Sequence, residues 1–270
     1  MNPKYEIPLS IVVYSITSGT MLLLNKLAVH HFPYPSMVSS IQIASTIAIV
    51  YGLQCLGALE VDKLVWHKVL PYLAFVTTFC LGILCNMHSL ETSNVETVIV
   101  FRSLTPLGVS VLDYLFLGRE LPGLRSLGAL LLIVFGTYTY SSYDEKFQTQ
   151  GYAAYKWPFM YFVVMCVEMC AAKKVISDVE MKTLSGPVAY MNLLGFLPMV
   201  AFAWLGNEFN RFSEAHASGE VAITTSVITF LVLSSFAGTG IGYAGWWCRD
   251  KVSATSFTVS FVLLALRQGF

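Results

Sequence analysis

Long apolar runs separated by short polar connections dominate the pattern along the chain. A helix needs about 20 apolar residues to cross a bilayer, because each residue adds about 1.5 Å. The pattern predicts nine membrane-spanning helices, at 8–29, 34–57, 69–90, 94–117, 124–142, 156–176, 184–206, 221–247 and 252–266. The longest polar breaks are 143–155 and 207–220, and the first of them divides the chain into two halves.

Composition points to the same class of protein. Hydrophobic residues make up 56% of the 270 residues and charged residues 12%, whereas a soluble domain carries about 25% charged residues. We therefore expect an all-α polytopic membrane protein. The formal net charge of zero argues against a nucleic-acid binder, which needs a basic face. The six cysteines lie in or beside apolar runs, which indicates packing residues rather than a disulfide framework or a metal site.

Basic residues outside the spans are divided unequally between the two sides of the predicted bundle. The side of Met1 holds Lys4, Lys63, Lys68, Arg119, Arg125, Lys173, Lys174, Lys182, Arg249 and Lys251. The opposite side holds Lys146, Lys156, Arg211 and Arg267. The positive-inside rule then predicts a cytosolic N-terminus.

A weak internal repeat relates the two halves. Leu24-Asn25-Lys26 ends the first span, just as Ala172-Lys173-Lys174 ends the sixth, and a proline-containing connection to a new span follows in each case. Five spans precede the break at 143–155, and this odd number requires the second half to be inverted relative to the first. Inverted repeats place a substrate site near the membrane midplane at their interface. We expect a first five-helix repeat at 1–142, a lumenal connection at 143–155 and a second, incomplete repeat at 156–270.

Charged residues inside the spans are the first candidates for function. An arginine in a membrane span costs about 2.5–3.5 kcal/mol on insertion scales, so we favour a cavity-facing Arg102 over one that reaches an interface or pairs with Glu96 or Asp113. Lys26 lies near the end of its span, and the sequence leaves a cavity position and an interfacial position equally open. Glu168, in the middle of the sixth span, needs a partner or a proton, and Arg102 is the natural candidate for the partner.

Helix-loosening residues occur at mid-membrane depth in three spans. They are Pro106, Pro198 and the glycines of Gly238-Thr239-Gly240-Ile241-Gly242. Loosened backbone is tolerated at that depth only against protein or a water-filled cavity. For the glycines, close helix packing is at least as good an explanation as substrate contact.

Several short blocks resemble the GDP-sugar branch of the nucleotide-sugar transporters, within the drug/metabolite transporter superfamily. They are Leu24-Asn25-Lys26, Phe32-Pro33-Tyr34-Pro35 with Gln42, Asn94-Val95-Glu96-Thr97, Phe101-Arg102-Ser103-Leu104-Thr105-Pro106, Tyr190-Met191-Asn192-Leu193-Leu194 and Val252-Ser253-Ala254-Thr255-Ser256-Phe257-Thr258-Val259. The blocks follow the order of the family from residue 8 to 259. Each block is weak alone, and together they are fairly specific for the family.

The resemblance implies a ten-helix fold of two inverted five-helix repeats with both termini cytosolic. It implies a multi-pass protein of the Golgi membrane, with the endoplasmic reticulum as an alternative, that exchanges a cytosolic GDP-sugar (mannose or fucose) for lumenal GMP by alternating access. The expected partners are therefore a nucleotide sugar, a nucleoside monophosphate and the lipid bilayer, with a homodimer left open and no cofactor expected.

The chain departs from two family signatures. The seventh-helix Phe-Tyr-Asn-Asn appears as Ala189-Tyr190-Met191-Asn192, and the ninth-helix Gly-x-x-Asn-Lys would fall on Phe-Val-Leu-Leu-Ala at 261–265. With about nine spans instead of ten, the C-terminal segment looks truncated or divergent. We therefore expect weak transport or none from the chain as it stands.

A GDP-sugar needs aromatic faces for its base, amides or hydroxyls for its sugars and a cation for its phosphates. The residues that the spans and the resemblance propose for these roles are Tyr14, Asn25, Lys26, Arg102, Tyr190, Asn192, Thr255 and Phe257. Tyr14 and Asn25 lie about three turns apart on one helical stripe. Tyr190 and Asn192 are two residues apart, about 200° on a helix, so they do not share a face.

Three other interpretations compete with this one. The first is a triose-phosphate-like or organic-anion translocator of the same superfamily. The second is an integral-membrane enzyme, which the sequence does not favour because it has no His-Glu-x-x-His, Gly-x-Ser-x-Gly or clustered His/Asp pattern, so neither catalytic nor metal-ligating residues are predicted. The third is a non-transporting scaffold whose altered C-terminal segment has abolished the pocket.

Overall fold

The computed structural model describes residues 3–117, 124–220 and 222–252, and all regular structure within these residues is helical. The helices are α1 (Pro3–His31), α2 (Pro35–Cys55), α3 (Trp66–Thr92), α4 (Val95–Ser103), α5 (Thr105–Leu117), α6 (Leu124–Tyr143), α7 (Glu145–Gln150), α8 (Lys156–Asp178), α9 (Ser185–Leu205), α10 (Glu208–Ala217) and α11 (Thr225–Lys251). A 3-10 turn at Gly151–Tyr155 leads into α8. The prediction of an all-helical polytopic membrane protein is confirmed.

The predicted spans and the observed helices agree closely in position. Within the described residues, six segments are long and apolar enough to cross a bilayer: Tyr5–His31, Pro35–Cys55, Trp66–Thr92, Val95–Leu115, Ser185–Leu205 and Thr225–Lys251. The predicted fifth and sixth spans are the helices α6 and α8, although neither is among these six. The predicted ninth span, 252–266, lies outside the described residues except for Val252.

The fourth predicted span is divided in two at Leu104. Pro106 has no backbone N–H, so it cannot continue the regular ladder of the preceding helix. The chain tightens there, and the Leu104 N–H donates to the Phe101 carbonyl at 3.2 Å. Arg102 consequently lies in the last turn of α4, where the helix dipole favours a positive charge.

The long helices pack in pairs that cross between the two halves of the chain. The principal pairs are α1 with α11, α2 with α9 and α3 with α8, followed by α2 with α11 and α3 with α9. If α1 is exchanged with α8, α2 with α9 and α3 with α11, the same five pairs are obtained. An inverted repeat would produce this pattern, but the predicted counterpart of α4–α5 lies outside the described residues. The two five-helix repeats therefore stay a prediction.

One end of the α2–α9 pair is held by Glu208, which is only 2% exposed. Its carboxylate accepts the backbone N–H groups of Ser36 at 3.1 Å and Met37 at 2.9 Å. These donors belong to the first turn of α2, where the backbone N–H groups have no carbonyl partner within the helix. Glu208, at the start of α10, therefore ties α10 and the end of α9 to the beginning of α2. We call this contact the Glu208 clamp.

The other end of the same pair is held by Asp62, in the connection between α2 and α3. Its carboxylate accepts the Lys182 N–H at 3.1 Å, and the Thr183 N–H and hydroxyl at 2.9 and 2.8 Å. Partial burial acts to raise the pKa of the Asp62 carboxyl. These hydrogen bonds and the Lys68 ammonium, 3.6 Å away, outweigh burial and hold that pKa below its ordinary value. We call this contact the Asp62 clamp.

Candidate functional site

An interior cavity of about 180 Å³ lies between the two halves of the bundle. Its walls come from α1, α2, α3, α4, α8, α9 and α11, so that both halves of the chain contribute. Its polar lining consists of Tyr14, Ser18, Asn25, Gln42, Thr46, Asn86, Arg102, Tyr161, Glu168, Asn192, Trp246 and Arg249. A cavity with this lining in an apolar bundle can hold a polar ligand away from lipid.

Arg102 lines the cavity from the last turn of α4 and is 9% exposed. Its guanidinium donates to the Ser18 hydroxyl on α1 at 3.4 Å. The guanidinium carbon also lies 5.9 Å from the centre of the Tyr161 ring on α8, within cation–π range. Arg102 thus contacts helices of both halves from a position on the cavity wall.

The structure corrects the predicted partner of Glu168. The carboxylate of Glu168, 5% exposed, pairs with the guanidinium of Arg249 at 3.1 Å, whereas we expected a pair with Arg102. The predicted span ends at 247, which leaves Arg249 in a connection. The helix α11 instead continues to Lys251 and keeps Arg249 inside the bundle.

A spacing signal in the sequence could have located Arg249. Gly238, Gly242, Gly245 and Arg249 are separated by four, three and four residues, which places them on one face of a helix. All four line the cavity. Trp246, also on the cavity wall, lies beside Arg249, with its ring centre 5.6 Å from the guanidinium carbon.

Gly82 on α3 provides the space for the Glu168 carboxylate. A Cβ atom at position 82 would lie 3.0 Å from Glu168 Oε2, closer than ordinary van der Waals contact. A larger residue at position 82 would therefore push the carboxylate away from its present position.

A second polar wall of the cavity is made of amides and hydroxyls. The Gln42 side chain on α2 donates to Asn25 Oδ1 on α1 at 2.9 Å, and the hydroxyls of Thr46 and Thr239 lie 3.0 Å apart. Asn192 donates to the Val188 carbonyl one turn earlier on α9, at 2.8 Å. Hydrogen bonds of this kind fix the directions of the amides that face a ligand.

Four of the eight sequence-predicted site residues meet at the cavity: Tyr14, Asn25, Arg102 and Asn192. The structure places two others elsewhere. Lys26 Nζ donates to the carbonyls of Leu90 and of Ser93, the latter at 2.9 Å, at the C-terminal end of α3. This is a favourable place for a cation, because the last carbonyls of a helix carry partial negative charge.

Tyr190 is the other predicted residue outside the cavity lining. Its hydroxyl donates to the Lys63 carbonyl at 2.5 Å and accepts the Val65 N–H at 2.9 Å. Tyr190 thus holds the connection that carries Asp62. Asn192 lines the cavity and Tyr190 does not, in agreement with their spacing on the helix. The remaining two predicted residues, Thr255 and Phe257, and the altered signature at 261–265 lie outside the described residues.

Some buried polar atoms of the cavity wall have no hydrogen-bond partner among the described residues, and Oδ1 of Asn86 and Nε1 of Trp246 are among them. Leaving a buried donor or acceptor unsatisfied costs about 1–3 kcal/mol. A ligand that presents both an acceptor and a donor to this wall would remove that cost.

The chain is similar to known proteins over nearly its whole length. Residues 6–263 match the profile of the Triose-phosphate Transporter family. The GDP-fucose transporter 1 of Arabidopsis thaliana is 31% identical over 254 residues, which are 94% of this chain and 73% of that protein. The GDP-mannose transporter GONST3 of the same plant is 29% identical over 246 residues, 91% of this chain and 65% of the relative, just under two thirds of its length.

A more distant similarity extends to fungi. The GDP-mannose transporter of Komagataella pastoris is 23% identical over 261 residues, which cover 93% of this chain and 77% of the relative. These relatives are named as transporters, in agreement with the prediction that the chain is not an enzyme.

Proposed function

Because the chain belongs to the Triose-phosphate Transporter family, we propose that it is a carrier for a GDP-sugar, GDP-fucose or GDP-mannose. The names of its relatives support this substrate class. The observation that carries the proposal is Arg102, a buried guanidinium on the wall of a cavity between the two halves of a membrane bundle. A cation at that depth is costly unless an anion or a wet cavity accompanies it.

The chemistry of the cavity wall fits the parts of a GDP-sugar. The diphosphate would take charge-assisted hydrogen bonds from Arg102. The ribose and sugar hydroxyls would meet the amides of Asn25, Gln42 and Asn192. The purine would stack against an aromatic ring, for which Tyr14 and Tyr161 are available.

The proposed mode of transport is exchange. The carrier would bring a cytosolic GDP-sugar into the Golgi lumen and return GMP by alternating access, with the cavity opening to one side at a time. The self-mapping set of helix pairs supports two inverted repeats that rock against each other around a central site. The excess of basic residues on the side of Met1 supports a cytosolic N-terminus.

The test is uptake into vesicles reconstituted with the purified chain. Vesicles preloaded with GMP should accumulate GDP-mannose or GDP-fucose faster than UDP- or CMP-sugars, and vesicles without GMP should accumulate less. Equal or faster uptake of UDP-sugars would overturn the substrate assignment. Uptake that does not depend on internal GMP would overturn exchange while leaving the substrate assignment intact.

A second candidate function is translocation of a small phosphorylated or organic anion. The description of the family as triose-phosphate transporters favours it. The aromatic lining, with Tyr14, Tyr161 and Trp246, suits a ligand that carries a base better than a three-carbon phosphate. Triose phosphate offered to the same vesicles distinguishes the two, since a GDP-sugar carrier should discriminate against it.

A further inference from the structure

The charges inside the cavity are unbalanced in the direction that favours an anionic ligand. Arg102 and Arg249 each bring a positive charge, and Glu168 is the one acidic residue among the described residues that line the cavity. With Glu168 ionised, the part of the lining that the structure describes carries one net positive charge. Buried charges are stable only when they are paired and hydrogen-bonded. Here one carboxylate, that of Glu168, is available to the guanidinium groups of Arg102 and Arg249.

The Glu168–Arg249 pair lines the cavity and joins α8 to α11. Glu168 belongs to α8, which packs mainly on α3 and α5. Arg249 belongs to α11, which packs mainly on α1 and α2. The carboxylate and the guanidinium meet at 3.1 Å, beside a second α8–α11 contact in which Lys173 Nζ donates to the Arg249 carbonyl at 3.3 Å. Because both groups line the cavity, an anionic ligand in the cavity would compete with Glu168 for Arg249.

A buried donor next to Arg249 indicates that an acceptor can bind there. Trp246 is 3% exposed, and its Nε1 donor has no acceptor among the described residues. The indole and the guanidinium come from neighbouring positions on α11 and line the same cavity. An indole N–H can only donate, so its missing partner must bring a lone pair. A phosphate oxygen has the right chemistry for both groups.

We propose that Glu168 is a built-in substitute for a substrate phosphate. In the empty carrier its carboxylate neutralises Arg249. When a nucleoside diphosphate sugar enters, its phosphate oxygens take the Arg249 guanidinium and the Trp246 N–H, and Glu168 is displaced. This proposal rests on the proposed function and adds to it an anion subsite made of Arg249 and Trp246.

The proposal predicts an unusual direction of change for one substitution. Glu168→Gln keeps the size of the side chain but removes the competing charge, so the ligand no longer has to break an ion pair. The apparent Kd for the GDP-sugar should fall about tenfold, because one charge-assisted contact is worth at least that factor in binding. Arg249→Gln removes the subsite and should raise the apparent Kd at least about tenfold by the same reasoning.

The experiment measures ligand-dependent thermal stabilisation of the purified full chain in detergent. The ligands are GDP-mannose and GDP-fucose, with guanosine as an uncharged probe, and UDP-glucose and triose phosphate as other phosphate compounds. The variants are Glu168→Gln, Arg249→Gln and the double variant. Because Glu168 is proposed to act only through Arg249, the double variant should bind like Arg249→Gln alone. Affinity for guanosine should not change in any of them.

Glu208→Gln is the matched control. It neutralises another buried glutamate, which lies in the Glu208 clamp and not in the cavity lining, so it should lower stability without changing the apparent Kd for the GDP-sugar. If Glu168→Gln does not fold, the Kd values of Arg249→Lys and Arg249→Gln are compared instead, and they decide whether the subsite exists. The lysine variant should keep the apparent Kd within a few-fold of the unmodified chain and the glutamine variant should not.

Each outcome separates the two proposals. If the unmodified chain binds GDP-sugars but Glu168→Gln binds them equally or more weakly, the subsite proposal is wrong and the GDP-sugar proposal stands. Equal Kd values for the unmodified chain, Arg249→Lys and Arg249→Gln would also reject the subsite. If none of the phosphate compounds stabilises the unmodified chain, both proposals fall.

Discussion

The side-chain amide of Gln42 on α2 donates a hydrogen bond of 2.9 Å to Asn25 Oδ1 on α1, and both residues are buried on the wall of the cavity. The bond occupies the side-chain oxygen of Asn25, so the side-chain amino group of Asn25 is the group available to a ligand. It also joins two neighbouring helices at the level of the cavity. The direction of one amide is in this way set by a residue on another helix.

Replacing Gln42 by leucine should therefore weaken GDP-sugar transport, because Asn25 loses the hydrogen bond that orients its amide. A neutral hydrogen bond contributes about 0.5–1.5 kcal/mol, so KM should rise by a factor of about 2 to 12. Uptake into GMP-loaded vesicles measures the change. Ser40→Ala is the control, because the Ser40 hydroxyl is buried on the same helix, lies outside the cavity lining and bonds to the Ser36 carbonyl one turn earlier. A KM equal to that of the Ser40→Ala chain would show that Gln42 does not position the ligand.

Arg102 should be the most sensitive position of the first half of the chain. Arg102→Gln should raise KM about 10- to 100-fold, since a hydrogen bond to a charged group is worth about 1.5–3 kcal/mol. Arg102→Lys keeps the charge but loses the planar donor geometry, so its KM should lie between the KM values of the unmodified chain and of Arg102→Gln. Arg211→Gln is the control, because Arg211 is exposed on α10 and lies over the Tyr34 ring at 5.8 Å, outside the cavity lining. Unchanged uptake in the Arg102→Gln chain would remove Arg102 from the site.

The predicted orientation can be tested with single cysteines after the six native cysteines have been replaced. Lys182 and Arg211 are both exposed, one beside the Asp62 clamp and the other beside the Glu208 clamp. In sealed vesicles with the cytosolic face outward, Lys182→Cys should react with an impermeant thiol reagent. Arg211→Cys should react only after the membrane is permeabilised. Reaction of the Arg211→Cys chain in sealed vesicles would reverse the orientation.

Glu208→Gln should lower the thermal stability of the protein. The substitution turns two charge-assisted hydrogen bonds to the start of α2 into at best one neutral bond, a loss of about 1–3 kcal/mol. Glu214→Gln, on the same helix α10 but exposed, is the matched control and should change the melting temperature little. Similar melting temperatures for the two variants would mean that the Glu208 clamp contributes no stability.

Acidification should release the Asp62 clamp. The pKa of Asp62 is lower in the folded protein than in the unfolded chain, so the stabilisation is complete above the unfolded value, about 4, and is lost as the pH falls through the folded value. The unmodified chain should melt at a higher temperature than Asp62→Asn at pH 7, and the difference should shrink as the pH falls below about 4. A difference that is independent of pH would show that the charge of Asp62 does not hold the clamp.

The pattern of apolar runs was sufficient to place the helices because the bilayer imposes one requirement, length, on every span. The seventh span was predicted at 184–206 and is observed as α9, Ser185–Leu205. Leu104 shows where that requirement is not enough. The run at 94–117 is long enough for one helix, but the backbone around Pro106 divides it into α4 and α5.

The direction of individual side chains was harder to predict than the helices. Lys26 and Arg102 are both cations in apolar runs, yet one binds the carbonyl end of α3 and the other lines the cavity. Arg249 was missed because charge marks the expected end of a span, and only Glu168, on another helix, makes a partly buried arginine favourable at that position. Such choices depend on contacts between distant segments, which periodicity within one segment does not encode.

The two clamps at opposite ends of the α2–α9 pair have a mechanical consequence for a carrier of this shape. The Glu208 clamp fixes one end and the Asp62 clamp fixes the other, so these two helices cannot part at either end without breaking hydrogen bonds to a carboxylate. We therefore expect the α2–α9 pair to stay together when the cavity opens to one side, and the opening to come from movement of the other helices relative to this pair.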